Sequence, residues 1–215
     1  MRLPFVAGEI AVFGIEQALV REPFGVHLDH GLTEDCVNEA LDLGFTSIMY
    51  DCSTDSYEEN VRKVKEMADI AHSYGATIEG ELGHVGSVND ETMDEFTSPE
   101  LAADFVEKTG VCCLAVLIGN AHGHYKKPPH IDIERIKAIR EATNNTPLVL
   151  HGGSGVPDEE IRKAVAAGIR KMNFATDICY SFLDTCLEEL QKPDRAVAID
   201  TFMKKPIAAV TEFCK

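Results

Sequence analysis

The chain has 215 residues, a formal net charge of -16, and 45% hydrophobic and 26% charged residues. That length carries one substantial core, so residues 1–215 are expected to form a single domain. The acidic balance argues against nucleic-acid binding, which wants a basic surface. The sequence also lacks an apolar run of membrane-spanning length and a basic-then-apolar leader at Met1-Arg2-Leu3, so no membrane partner is expected.

In chain order, residues 8–21 (GEIAVFGIEQALVR) read as a helix and 23–29 (PFGVHLD) as a strand. TEDCVNEALDLG (33–44) is a helix, with Thr33 as its N-cap and Gly44 as its stop. FTSIMYD (45–51) is a strand, 56–75 a long helix ending at glycine, ATIEGEL (76–82) a strand, and 83–97 a polar loop. The next helix, 98–110, opens with Ser98 as cap and Pro99 at its first position. VCCLAVLIG (111–119) is apolar throughout, as a strand buried on both faces should be. IDIERIKAIREAT is a helix, PLVLH a strand, VPDEEIRKAVAAG a helix and IRKMNFAT a strand, and two helices separated near Pro193 close the chain.

Six strands, each followed by a helix, imply a parallel sheet with right-handed crossovers. A doubly wound sheet gathers its site at one switch point, whereas a barrel gathers residues from many strand ends. The chemically suggestive residues follow strands at 29, 51, 81, 122, 151 and 173, on all six, which favours a TIM (β/α)8 barrel. Such a barrel has eight strands in typically about 250 residues, so the pattern is two units short.

Three histidines stand at the C-terminal edges of these strands, beside glycines that let the backbone turn: His30 in GVHLDHG, His122 in LAVLIGNAHGHY and His151 in PLVLHGGSG. That edge is where parallel α/β proteins bind ligands. Three neutral imidazoles converging there would hold zinc with an open fourth position, the catalytic arrangement. The alternative is three unrelated members of a set of eight histidines. His27, one turn of the pleat earlier, is expected to support a ligand or to sit in the core. Seven cysteines without a CxxC pair read as buried small hydrophobes in a reducing compartment, and the cytoplasm follows as the expected location.

The blocks HLDHG, GFTSIMYDCS, EENVRKVKEMADIAHSYG, EGELGHVGS, FVEKTG, LAVLIGNAHGHYK and LVLHGGSGVPDEEIRKAVAAGIRKMNFATD occur in that order between about residues 8 and 180. Together they resemble the class II, zinc-dependent fructose-bisphosphate and tagatose-bisphosphate aldolases. The resemblance implies a (β/α)8 barrel that this chain enters at the helix before the family's third strand, lacking the first two β/α units. It implies one Zn2+ per subunit on His30, His122 and His151, with Glu81 and Asp51 lining the cavity and offering secondary metal positions. It makes Asp29 the catalytic acid and base, taking the C4 hydroxyl proton in cleavage and returning it in condensation, and turns Asn173 to the reacting carbons. Gly123, Gly152, Gly153, Ser154, Asn173, Ala175 and Thr176 match the walls of the ketone-side phosphate site, where glycines admit phosphate to backbone N–H groups. The implied reaction is aldol cleavage of fructose 1,6-bisphosphate, or its C4 epimer, by a homo-oligomer. Whether a monovalent cation assists at Gly123 stays open.

No Schiff-base lysine is required, so Lys126, Lys127 and Lys171 read as solvent-facing or mouth-lining charges. Where the family carries a proton-shuttling loop glutamate, this chain aligns Asn89, with Asp90 and Glu91 beside it; an amide is no general base at neutral pH. Asn120 replaces a common threonine. Two functional classes therefore stand together: an active zinc aldolase, and a non-catalytic remnant that binds zinc or a partner. A zinc hydrolase is a weaker third, disfavoured by the phosphate-cradle motifs.

Overall fold

Side chains start the first four helices, two of them, Thr33 and Ser98, at positions that the sequence marks. In the computed structural model, which describes residues 25–87, 96–123, 125 and 129–215, Thr33 Oγ1 accepts from the Cys36 amide to open α1 (Glu34–Asp42). Ser56 opens α2 (Tyr57–Ser73), and Ser98 opens α3 (Pro99–Thr109) with Pro99 in its first turn. Asp132 caps α4 (Ile133–Ala142). Gly110 ends α3 at φ 71, a left-handed conformation that a side chain would resist. α5 (Asp158–Ala167) completes the set of helices between strands. The expected helix 8–21 and the residues Asn89, Asp90, Glu91, His124, Lys126 and Lys127 lie outside the described residues.

The strands are β1 (His27–Gly31), β2 (Ser47–Tyr50), β3 (Thr77–Leu82), β4 (Cys113–Val116), β5 (Leu148–Leu150) and β6 (Ile169–Met172). They pair in parallel in sequence order, β1 to β6. A flat sheet would separate β1 from β6 by about 24 Å, five strand spacings. Instead Asp29 on β1 accepts a 2.8 Å hydrogen bond from Asn173, just beyond β6. The sheet is therefore curled, a six-strand sector of a (β/α)8 barrel.

Strand alternation sorts the side chains onto two faces. Leu28, Ile48, Tyr50, Ile78, Leu82, Leu114, Val116, Leu148, Leu150 and Ile169 pack outward against the helices in one buried cluster, with Phe105 and Ile136 among its members from the helix side. The intervening residues Met49, Glu79, Glu81, Ala115 and Val149 are buried but stand outside that cluster, on the concave face. The inner face thus holds two fully buried carboxylates, Glu79 and Glu81.

Four expectations are corrected. The last strand is shorter than 169–176: β6 ends at Met172, and Thr176 already belongs to α6 (Thr176–Leu190), because the Asn173 carbonyl accepts from the Gly153 amide and turns the chain. The strand expected over 111–119 stops at Val116, since the next two amides donate to side chains, Leu117 to Thr97 Oγ1 and Ile118 to Asn120 Oδ1. The C-terminal region holds α6, a short α7 (Ile199–Phe202) and α8 (Lys204–Phe213), with α8 packed on α6. The cysteines are all free, but only Cys52 is buried; Cys179 and Cys214 are exposed on or beside the terminal helices. Among the described residues, no helix is long and apolar enough to cross a membrane.

Candidate active site at the C-terminal ends of the strands

β1 delivers two neighbouring residues, Asp29 and His30, to one face. Regular alternation would send them to opposite sides. A bulge between Leu28 and Gly31 and a left-handed φ of 48 at His30 turn the imidazole inward. Non-glycine residues at positive φ are uncommon, and such strain concentrates at functional sites. Gly31 then has to be small: a Cβ there would sit 2.7 Å from both the Met49 carbonyl and Val37.

The structure brings His30, His122 and His151 together, with ring centroids 4.6 to 5.6 Å apart. Their inward nitrogens are close enough to share one metal ion. The hydrogen bonds decide the tautomers, because carboxylates and carbonyls only accept. His30 Nδ1 donates to Asp51 Oδ2 at 2.7 Å, His122 Nδ1 to the Val85 carbonyl at 2.7 Å, and His151 Nε2 to Glu79 Oε1 at 2.7 Å. Each ring thus spends its proton outward and turns a lone pair inward. Two of those lone pairs, on His30 Nε2 and His151 Nδ1, face each other at 2.9 Å. Two acceptors at that distance need a proton or a metal ion between them; with the outer nitrogens already donating to fixed acceptors and a fourth side open, the three imidazoles fit zinc.

The carboxylates around them have different characters. Glu81 Oε1 accepts from the Val85 amide, while its buried Oε2 has no hydrogen-bond partner and lies 3.8 Å from His151 Nδ1. Burial, with the neighbouring Asp51 charge, pushes the Glu81 carboxyl up. Asp51 is also penalised by burial, but hydrogen bonds from His30 and Ser53 hold it well below the usual range. Asp51, His30 and Glu81 also form a second group whose donor atoms lie close enough to share a metal ion. Burial opposes charge on Glu79 as well, yet the His151 bond and the Lys171 ammonium bring its carboxyl down to about 2. Burial and the other two histidines lower His122 to about 4, so it is neutral near pH 7. His30 moves the other way: burial alone would lower it, but Asp51 and Asp29 raise it.

Asp29 stands at the rim, 48% exposed in its side chain, with Oδ1 4.0 Å from His30 Nε2. Asn173 Nδ2 donates to it at 2.8 Å. The glycine loop packs against this edge: a Cβ on Gly152 would fall 2.0 Å from the Ala121 carbonyl, and one on Gly153 would fall 3.0 Å from the Asn173 carbonyl. Ser154 Oγ accepts from the Asp177 amide at 3.2 Å, inside the first turn of α6 that Thr176 opens after Ala175. Gly123 follows His122, whose amide donates to the Gly86 carbonyl. The described site residues singled out from the sequence thus belong to one end of the sheet.

Sequence reasoning missed two members. Glu79 was signalled by the alternation in TIEGEL, where Ile78 and Leu82 face the helices and both glutamates must face the other way. Lys171 is no solvent-facing charge: its Nζ lies 2.9 Å from Glu79 Oε2 and 2.7 Å from Asn173 Oδ1. His27 supports as expected, bonded to Ser47 and 3.8 Å from Glu79.

The family model for class-II fructose-bisphosphate aldolase matches residues 5–215. The chain belongs to that family. A fructose-bisphosphate aldolase of Geobacillus stearothermophilus is 38% identical over 181 residues, 83% of this chain and 63% of its own. YdjI of Escherichia coli K12, an uncharacterised protein, is 41% identical over 175 residues, 80% of this chain and 63% of its own. The crystal structure of that YdjI aldolase superposes with a TM-score of 0.76 at 36% identity, covering 87% of this chain and 65% of that one. A fructose-bisphosphate aldolase from Campylobacter jejuni, 24% identical, shares the fold with a TM-score of 0.71 over 89% of this chain and 68% of that one. This class II chain therefore spans less than two thirds of the length of the first two relatives.

Proposed function

We propose that this class II family member cleaves and forms a ketose 1,6-bisphosphate by zinc-dependent aldol chemistry, fructose 1,6-bisphosphate giving glycerone phosphate and glyceraldehyde 3-phosphate. The observation that carries the reading is the set of three imidazoles whose outer nitrogens all donate to fixed acceptors while two inner lone pairs meet at 2.9 Å. Zinc bound there supplies Lewis-acid polarisation of the ketone. Glu81, with its orphaned Oε2, and Asp51 are the residues of a secondary metal position.

The rest is done by the chain's own groups. Asp29 takes the proton of the C4 hydroxyl in cleavage and returns it in condensation; its half-exposed carboxylate at the rim can reach a bound sugar. Asn173 holds Asp29 by its NH2 group and faces the same space. The ketone-side phosphate lies against Gly123, Gly152, Ser154, Asn173, Ala175 and Thr176, where the α6 N-terminus favours an anion. The Gly153 amide is already donating to Asn173, so Gly153 serves that wall by its small size. Any monovalent cation belongs beside Gly123. The reading extends to a cytoplasmic homo-oligomer; for the assembly alone, support comes from an apolar stripe on α6, where Tyr180, Leu183, Leu187 and Leu190 are exposed.

A coupled cleavage assay on the purified chain tests this. Turnover of fructose 1,6-bisphosphate is expected to vanish with chelator and return with zinc. A folded, zinc-loaded sample without turnover would overturn the activity.

A further inference from the structure

The inner face of the sheet carries an unbroken line of polar contacts, and the reaction scheme uses its two ends but not Glu79 and Lys171 between them. His151 Nε2 donates to Glu79 Oε1 at 2.7 Å, and Lys171 Nζ donates to Glu79 Oε2 at 2.9 Å. The same ammonium donates to Asn173 Oδ1 at 2.7 Å, and Asn173 Nδ2 donates to Asp29 Oδ1 at 2.8 Å. The line therefore joins β5, β3, β6 and β1, and ends on the metal-facing histidine at one side and the proton-transferring aspartate at the other.

We propose that Lys171 is a positioning residue that sets the orientation of both ends of this line at once. The inference rests on the zinc aldolase reading and deepens it. An ammonium has three donors and no acceptor. Beside Asn173 it can meet only the carboxamide oxygen, so the NH2 group must point the other way, at Asp29. Without it the carboxamide has two orientations, and one of them turns an oxygen toward the Asp29 carboxylate. Beside Glu79 the same charge neutralises a carboxylate whose side chain is fully buried. That carboxylate fixes the His151 proton on Nε2 and leaves Nδ1 for the metal. Lysine suits the task because a compact ammonium reaches two acceptors on different strands; a planar guanidinium would need a different geometry. Its 31% side-chain exposure shows that it threads from the rim to this layer and is not a free surface charge.

The simplest rival is that Lys171 is only the counter-ion of Glu79. Three variants separate the two: Lys171→Met, Glu79→Gln, and the double substitution, in which no charge is left to neutralise and the Gln can still accept from His151. Thermal unfolding establishes that each folds. The first readout uses the metal-free protein, so it stands even if zinc or turnover fails: the side-chain amide protons of Asn173 and the Nε2–H proton of His151 in 15N-edited spectra. Zinc affinity by indicator competition and the split between kcat and KM follow. The proposal predicts that Asn173 loses its single amide environment in Lys171→Met and in the double variant alike. It also predicts that zinc affinity falls in Lys171→Met, by less than the about 10- to 100-fold that losing a direct partner of a ligating histidine costs, because Glu79 remains. kcat should fall more than KM rises. Unchanged Asn173 amide signals in Lys171→Met would overturn the proposal, and so would a double variant that regains the wild-type Asn173 environment and kcat. Failure of the unsubstituted protein to bind zinc would instead overturn the aldolase reading and leave the amide test to decide Lys171.

Discussion

Single atoms decide what this site can hold. A histidine that spends its proton on a fixed acceptor becomes a pre-set ligand, and here Asp51, the Val85 carbonyl and Glu79 do this for three rings. His122→Ala removes one of three lone pairs and should abolish stoichiometric zinc binding, read by metal analysis after gel filtration. Gly152 is the other exacting residue, with φ 64 and the Ala121 carbonyl where a Cβ would go. Gly152→Ala should cost on the order of 3 kcal/mol of stability, measured by denaturant unfolding, since both backbone strain and a clash with main chain must be relieved. The three histidines were legible because each ends an apolar run beside glycine. Glu79 was not singled out and Lys171 was read only as a solvent-facing or mouth-lining charge, because Glu79 meets Lys171 and His151 from two or more strands away and the strand order alone does not show it. The left-handed turn at His30 has no sequence marker either: histidine is an ordinary residue there until the neighbouring Gly31 and the bulge are seen.

At the level of elements, helices were the better-marked feature. Serine, threonine or aspartate opens four of them, and the two caps read from the sequence, Thr33 and Ser98, both make their hydrogen bonds. Ser98→Ala should destabilise by about 1 kcal/mol through the lost bond to the Leu101 amide. Phe105 lies fully buried between α3 and β3, with its ring 2.9 Å from where a Cβ on Gly80 would be. Phe105→Ala should cost about 3–5 kcal/mol, visible as a large drop in the denaturation midpoint. Strand ends were less legible. Apolar runs continue past the last ladder bond at Ile118 and Phe174, and side-chain or loop acceptors, not hydrophobicity, stop β4 and β6. The break between α7 and α8 was also hidden, because Pro206 sits within the opening turns of α8, where a missing amide is tolerated.

Across the molecule, the site ties stability to protons and to metal. Burial lowers His27 and His122 to about 4, against 6.5 for an exposed histidine. The unfolded chain therefore takes up these protons first, so their contribution to stability is present above pH 6.5 and lost as pH falls toward 4. Glu79, lowered from 4.5 to about 2, continues the same trend at lower pH. His30 and Glu81, both with raised pKa values, take up protons first in the folded state and oppose it. His27 can be isolated: thermal stability of the metal-free His27→Gln variant should fall less between pH 6.5 and 4 than that of the unsubstituted protein, and an equal fall would contradict the burial argument. Zinc should raise Tm in proportion to the logarithm of its free concentration once the site is half filled. The most direct test of the account is a calorimetric zinc titration of the metal-free chain and of His122→Ala at neutral pH. The account predicts one zinc per chain in the first and none in the second. Absence of stoichiometric binding in the unsubstituted chain, or its survival in the variant, would contradict the three-histidine site.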